Sequence, residues 1–569
     1  MCGIFFYYSK YKCAVPIFQN ILSAATTIKS RGPEATNYIF NNNCIYCFHR
    51  LAINNVSHEC NQPFEYKIEN ETSENETELI KYTVMCNGEI YNWKQICSEY
   101  NLTLEHQNDC GVIFPLFRHF NFNFDKLLNT LDGEFAIIIT KTIVKKNDEE
   151  TPDIWFGTDV CSVRPLFYTI DKINNIIVLS SLLSGIADCH HVSSVVHRVD
   201  GGKSYHIDAM NKELNNNDYS NIFTPSKHNY MELNTIKKPI DFFYQSVVET
   251  LTNAIHKRIC SYNRSREIGC LLSGGLDSSL VASIAAKYLY NKGEKLKTFS
   301  IGMEGSTDLI YAKKVADYIG SEHTEVFFTP QEGIDSIIDV IKMTETYDIT
   351  TIRASVGQYL LAKYIRKNTD IKIILNGDGA DECQMGYLYF FNAPTDIDAQ
   401  MDSVQLVKQI HYFDGLRVDR NISGHGLEAR VPFLDKEFVD LLINKIPAKY
   451  KLPKNYNCEK YLIRKAFDPY NLLPTEVLWR RKEAFSDGVS SKEKSWFEIL
   501  LDYFNEKDIP SKLYREHNPP YTKESCFYRL TFEKYFKERN DNVIPRFWLP
   551  NWTDEKDPSA RKLKQIYDV

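Results

Sequence analysis

Residues 273–279, Ser-Gly-Gly-Leu-Asp-Ser-Ser, stand between an apolar run at 268–272 and a stretch where Val281, Ile284 and Tyr288 recur at helical spacing. That commits this part of the chain to a strand–turn–helix unit. Two adjacent glycines let the backbone bend sharply and come close to a ligand. Free N–H groups at a helix start, aided by the dipole, favour an anion. Ser278 and Ser279 add hydroxyls, and Asp277 adds a carboxylate able to hold a metal ion. The alternative is a tight turn followed by a serine N-cap. A Walker A loop is excluded, because no Gly-Lys-Ser/Thr follows.

The surroundings extend the constraint. From about residue 240 the pattern alternates strands (297–301, 324–328, 371–375) with helical stretches such as 311–319. Alternation of this kind predicts a doubly wound parallel sheet with helices on its faces. Ligands bind beyond the carboxyl ends of such strands. The glycine–serine turn lies at one such end, and Asn376-Gly-Asp-Gly-Ala-Asp-Glu382 lies at another.

Residues 1–210 read instead as β-rich, with short aromatic and β-branched runs at 44–48, 82–85, 135–140, 154–158 and 176–179. The acidic stretch 65–80 is expected to be a solvated loop, and 145–153 a second one. Polar residues 211–239 read as a linker. The expected division is a first domain at 1–210, a linker at 211–240, a second domain at 241–540 and a C-terminal tail at 541–569.

With 569 residues the chain has room for two to four domains. A net charge of −7 argues against a general nucleic-acid surface. No apolar run approaches the roughly 18 residues of a membrane span, and the N-terminus lacks a leader pattern. The expectation is a cytoplasmic protein with small-molecule partners. Fifteen cysteines without a regular framework read as free thiols. Cys44-Ile-Tyr-Cys47 has no second pair at zinc spacing, so it reads as strand. The Asn-x-Ser/Thr triplets at 70–72 and 75–77 read as chance matches.

A second constellation opens the chain. Removal of Met1 would leave Cys2 with a thiol and a free amine of reference pKa about 7.7–8.0, which is a nucleophile and its base in one residue. Asn87 and Gly88 offer the parts of an oxyanion hole. Arg50 suits an α-carboxylate, while Glu89 and Asp109 suit an α-ammonium. The alternative is a plain Asn-Gly turn, a surface arginine and an aspartate cap.

Taken together, Met1-Cys-Gly-Ile4, Arg31-Gly-Pro33, His49-Arg-Leu-Ala-Ile53, Asn87-Gly-Glu-Ile-Tyr-Asn92 and Leu131-Asp-Gly133 resemble the class II glutamine amidotransferase domain. The second half resembles the synthetase domain of glutamine-hydrolysing asparagine synthetases. The segments that carry this are 273–279, 345–355, 386–390, 428–435, 481–488 and 557–561. The resemblance implies an αββα sandwich of the N-terminal-nucleophile type, followed by the parallel-sheet domain.

In the implied scheme Cys2 attacks glutamine, and Asn87 and Gly88 hold the oxyanion. Arg50, the strand Leu51, Ala52, Ile53, Asn54, with Glu89 and Asp109, positions glutamine. In the second domain, aspartate attacks ATP to give β-aspartyl-AMP and pyrophosphate. Leu272, Ser273, Gly274, Gly275, Asp277, Ser278, Ile301, Asn376 and Gly377 would hold ATP. Asp277 and Asp381 would hold Mg²⁺. Arg353 and Lys482 would offset phosphate charge, and Asp378 would serve the intermediate and accept a proton from ammonia. Asp378 is one methylene shorter than the family's usual glutamate, which shortens its reach. The family also forms dimers through its first domain, and no periodic apolar face here identifies that contact.

Overall fold

Period-two alternation builds the first part of the chain. The computed structural model describes residues 1–11, 13–41, 43–71, 77–144, 151–208, 211–236, 238–483, 488–491, 493–555 and 557. They divide into two compact units.

The first unit holds two antiparallel sheets. One consists of β1 (Gly3–Ser9), β2 (Ala35–Asn41), β3 (Cys44–Arg50), β8 (Phe167–Asp171), β9 (Ile176–Ser180) and β10 (His197–Arg198), in the order β10-β8-β9-β1-β3-β2. The other consists of β4 (Phe64–Glu71), β5 (Thr77–Ile90), β6 (Gly133–Val144), β7 (Asp153–Thr158), β11 (Lys203–Asp208) and β12 (Glu213–Asp218), in the order β12-β11-β7-β6-β5-β4. Inward residues of both sheets share one core: Ile4, Phe6, Tyr46 and Phe48 from the first, Met85, Ile138 and Phe156 from the second. The helix Phe124–Thr130 packs on β7 and β11, and Ser184–Ala187 packs on β8 and β9, giving the expected αββα layering. Cys44 and Cys47 sit in β3, three residues apart and so on opposite faces, both as free thiols.

Two segments differ from their expected form. The acidic stretch is a hairpin arm pair, with Phe64 opposite Val84 and Glu71 opposite Thr77; residues 72–76 lie outside the described ones. Phe64 and Tyr66 are buried, whereas Glu65, Lys67 and Glu69 face outward. Alternation outweighs net acidity here. Residues 145–150 of the second expected loop also lie outside the described ones, and Asp153 already opens β7.

The expected linker likewise carries structure. β12 pairs along its whole length with β11, and Ser226 caps the helix Lys227–Leu233 through a reciprocal bond with Asn229. The backbone ladder, rather than buried side chains, places this polar edge strand. The first unit is not continuous in sequence: it comprises 1–221 together with 261–263 and 536–543. Asn540 Oδ1 accepts the Val196 N–H at 3.3 Å, and Asn542 Nδ2 donates to the Val196 carbonyl at 3.2 Å.

The second unit holds a five-stranded, all-parallel sheet: β13 (Glu267–Leu271), β14 (Lys297–Gly302), β15 (Glu322–Phe327), β16 (Ile371–Leu375) and β17 (Glu428–Arg430), in the order β15-β14-β13-β16-β17. The order reverses between β13 and β16, so the loops after these two strands flank the crevice. No described helix is long and apolar enough to cross a membrane.

The turn after β13 is shaped by steric need. Gly274 has φ +72°, and a Cβ there would lie 2.4 Å from the Ala312 nitrogen in the helix Thr307–Ile319. Gly293 has a similar φ of +76° but open space around it. Gly274→Ala is expected to cost about 1–3 kcal/mol beyond Gly293→Ala, through overpacking. Paired urea melts check this; equal losses would show that the close approach carries no energy.

Candidate active site

In the first unit, Cys2 leads into β1 and its N–H donates to Asn87 Oδ1 at 2.8 Å. That bond orients the amide of Asn87, whose Nδ2 is buried without an acceptor. An N–H aimed into a site with nothing to bind is what an oxyanion donor requires. Gly88 follows in β5, where a Cβ would lie 2.0 Å from the Glu134 carbonyl oxygen of β6. Cys2 Sγ lies 3.7 Å from the Leu51 carbonyl oxygen. Glu89 accepts from Asn54 Nδ2 at 3.3 Å, and Asp109 accepts the Ile90 N–H at 2.9 Å. Both carboxylates are buried.

Two expectations about the glutamine side change. Leu51, Ala52, Ile53 and Asn54 are not strand: β3 ends at Arg50. The Glu34 carboxylate takes the Ala52 N–H at 2.7 Å in place of a ladder partner. Arg50 does not stand open. Its guanidinium donates to the Ser57 carbonyl and Asn61 Oδ1, both at 2.6 Å, and to the Asn55 carbonyl, so it fastens the loop that follows β3. Arg31, in the Arg31-Gly-Pro33 motif, is fully buried and donates from Nε to the Cys2 carbonyl at 3.0 Å.

In the second unit, one pocket gathers the expected residues. Leu272, Ser273, Gly275, Asp277, Ser278 and Ile301 line it, as do Asn376, Gly377, Asp378, Asp381 and Lys482. Gly274 and Arg353 do not. The carbonyl of Gly274 instead accepts from Arg480 Nη1 at 3.1 Å. The helix Leu276–Tyr290 starts earlier than its apolar repeat suggests, and its N-cap is Gly275, with no side-chain cap. The serine N-cap of the alternative reading is therefore absent. Ser278 Oγ bonds within the loop, to Ser273 Oγ at 3.0 Å and the Gly275 carbonyl at 3.3 Å. A helix start without a side-chain cap suits phosphate.

The loop after β16 meets this turn at backbone distance: a Cβ on Gly377 would lie 2.6 Å from the Ser278 nitrogen. The approach brings Asp277 and Asp381 to one ammonium. Lys460 Nζ lies 2.5 Å from Asp277 Oδ2 and 2.6 Å from Asp381 Oδ1. Lys482 Nζ lies 2.6 Å from Asp381 Oδ2. Burial pushes Asp381 up, yet Lys460 and Lys482 together hold its carboxyl well below the usual range. Gly386 leaves room for the pair, since a Cβ there would lie 2.3 Å from both Asp381 Oδ1 and Lys460 Cε.

Asp277 Oδ1 is buried with no hydrogen-bond partner. Two carboxylates that reach one point, one with an orphaned oxygen, fit a hard divalent cation. Among the described residues no cluster of three or more His, Cys, Asp or Glu gathers for a metal. Such a cation would therefore need phosphate oxygens as well.

Lys460 was not foreseen. It sits in the left-handed region (φ 55°) at the start of the helix Tyr461–Phe467, and no pattern in the sequence marks it. Its neighbour Glu459 accepts the Lys482 N–H at 2.6 Å and Arg464 Nη2 at 2.8 Å, which fixes where Lys482 enters.

Asp378 is held by Arg417, and its own N–H bonds Asn376 Oδ1 at 2.7 Å. Burial pushes Asp378 up to about 6 despite the Arg417 guanidinium, with Asp414 adding to the rise. Arg353 is turned elsewhere: Glu524 and Asp557 occupy its guanidinium, so it does not face the pocket as expected.

Comparison with known proteins gives a consistent picture. Residues 1–241 match the glutamine amidotransferase domain family, and residues 246–406 and 395–555 match the asparagine synthase family. The chain is 38% identical to the asparagine synthetase (glutamine-hydrolyzing) of Gallus gallus, over 99% of both chains. It is 38% identical to the protein of that name from Mus musculus and 37% to that from Homo sapiens, each over 99% of this chain and 98% of the relative.

The pocket should also show in the pH dependence of stability. Burial pushes Asp308, which lines the pocket beside Arg480, from 3.8 up to about 7. The folded state then binds this proton more tightly than the unfolded chain. The contribution is full below about pH 4 and is lost as pH rises towards 7. Asp308→Asn is expected to flatten the curve of melting temperature against pH between about 4 and 7. An unchanged slope would refute the shift.

Proposed function

The chain belongs to the glutamine-hydrolysing asparagine synthetases, and on that premise we propose how its residues divide the work. It makes asparagine from aspartate, driven by ATP, with glutamine as the nitrogen source. The observation that carries the assignment of roles is the convergence of Asp277 and Asp381 beside a helix start without a side-chain cap.

In the first unit, Cys2 without Met1 attacks the side-chain amide carbon of glutamine. A thioester forms, the C–N bond breaks and ammonia leaves; water then releases glutamate. Asn87 Nδ2 and the Gly88 N–H carry the oxyanion, each worth on the order of 10²–10³ in rate. Asn87 already has its other end tied by the Cys2 nitrogen, so the donor is held before substrate arrives. Glu89 and Asp109 offer buried carboxylates to the α-ammonium.

In the second unit, the Ser273–Ser278 turn holds the β- and γ-phosphates, while Leu272, Ile301, Asn376 and Gly377 border the nucleoside. Asp277 and Asp381 would hold Mg²⁺. When bound, the ion neutralises phosphate charge and orients the leaving pyrophosphate. The β-carboxylate of aspartate attacks the α-phosphorus, and the bond to pyrophosphate breaks. The resulting acyl-AMP exposes a carbon that ammonia attacks, with AMP leaving. Lys482, which pairs with Asp381 and lines the pocket, would meet phosphate charge there. With its carboxyl near 6, Asp378 is largely ionised at neutral pH and able to take the proton that ammonia sheds.

Two variants test the division. Cys2→Ala is expected to abolish glutamine-dependent synthesis and leave ammonia-dependent synthesis intact; equal loss of both would remove the nucleophile assignment. Asp277→Ala is expected to abolish aspartate-dependent pyrophosphate release while glutamine hydrolysis continues. Pyrophosphate release at the normal rate would sink the cation role.

A further inference from the structure

Gly274 and Gly275 stand side by side in the turn after β13, and the peptide between them is trans. Its C=O and N–H therefore point to opposite sides. Gly275 lines the pocket and Gly274 does not. The Gly275 N–H reaches only as far as Ser273 Oγ, a long bond of 3.4 Å to a residue that also lines the pocket. Gly275 has φ −76°. Turning this peptide plane over would carry that angle into the positive region, which glycine accepts at little cost. Two glycines in succession thus leave the direction of the N–H to be set from elsewhere.

One side chain sets it. Arg480 is largely buried and does not line the pocket. Its Nη1 donates to the Gly274 carbonyl at 3.1 Å. Its Nη2 pairs with Asp308 Oδ1 at 3.3 Å and with Glu483 Oε2 at 3.0 Å. The guanidinium lies 4.1 Å from the centre of the Tyr311 ring. Tyr311 is itself pressed on the turn, since a Cβ on Gly274 would lie 2.5 Å from the Tyr311 Cβ. The fork works in two directions, with one arm on the turn and the other on two carboxylates.

The carboxylates give the arginine a footing that does not depend on the turn. Asp308 lies in the first turn of the helix Thr307–Ile319, and a Cβ on Gly488 would lie 2.5 Å from its carboxyl group. Glu483 follows Lys482 in the chain and accepts the Thr307 hydroxyl at 2.8 Å.

We propose that Arg480 is a positioning residue for the triphosphate: it holds the Gly274 carbonyl away from the pocket and so aims the Gly275 N–H at the phosphates that leave as pyrophosphate. The proposal rests on reading the pocket as the ATP site. Without that grip the N–H loses its fixed direction. A hydrogen bond to an ionised phosphate is worth roughly tenfold or more in binding. Lysine cannot substitute, because its single nitrogen is drawn to the two carboxylates and leaves the carbonyl.

The test uses the full-length protein with ammonia, aspartate, ATP and Mg²⁺, reading asparagine formed. The reading of the pocket is checked separately: if Asp277→Ala makes asparagine at the normal rate, that reading falls and the proposal falls with it. Given the loss in Asp277→Ala, Arg480→Met is expected to raise KM for ATP on the order of tenfold and to weaken inhibition by added pyrophosphate by a similar factor. KM for aspartate should hold, and so should inhibition by AMP, which lacks the leaving phosphates. A pocket that had merely loosened would shift AMP and aspartate as well, and such a uniform loss would overturn the proposal. Arg480→Lys should match Arg480→Met while keeping the melting temperature. Should Arg480→Met melt markedly lower, Arg480→Lys decides: a raised KM for ATP with normal AMP inhibition supports the aimed N–H, and an unchanged KM for ATP overturns it.

Discussion

A missing side chain sets the geometry of the second unit. Gly377 brings the loop after β16 against the Asp277–Ser278 peptide, where any Cβ would lie 2.6 Å from the Ser278 nitrogen. Because the two parent strands are neighbours at the reversal of the sheet, the loops that follow them share one crevice. The contact turns two separate carboxylates, Asp277 and Asp381, into one anionic point. Lys460 and Lys482 balance that charge, since two half-buried carboxylates brought together need compensation. The glycine N-cap continues the theme. A Ser or Asp there would satisfy the helix start internally, whereas Gly275 leaves it to a ligand.

The first unit reaches a comparable result by different means. Its sheets stack face to face, and the chain start enters the edge of the core with Cys2 beside β5. A hydrogen bond of 2.8 Å fixes both the residue and the amide that serves it. Two arginines add ties around it: Arg31 donates to the Cys2 carbonyl and Arg50 to the loop after β3.

Legibility in the sequence followed the range of the interaction. Features set by neighbours along the chain read well: the strand before the glycine turn, the alternating strands of the first unit, and the loops at the carboxyl ends of β13 and β16. Local composition misled where a backbone hairpin ladder decided the outcome, as in the acidic hairpin arms and the polar strand β12. The start of the helix at Leu276 was masked because Asp277 and Ser278 break the apolar repeat while serving the site. Lys460 was invisible, since its role arises from two aspartates more than 75 residues away in sequence. The partners of Arg353 were equally hidden, because Glu524 and Asp557 come from distant parts of the chain.

The discontinuity of the first unit bears on how the protein is made. Residues 536–543 belong to that unit and supply Asn540 and Asn542 to the edge at Val196. During synthesis from the N-terminus, the ribosome must pass nearly the whole second unit before these residues emerge. The sandwich therefore waits, with one edge unfinished, through more than 300 codons of translation at roughly 5–20 residues per second. Its early half must persist for tens of seconds on its own core, and the last contacts to form are those of longest range.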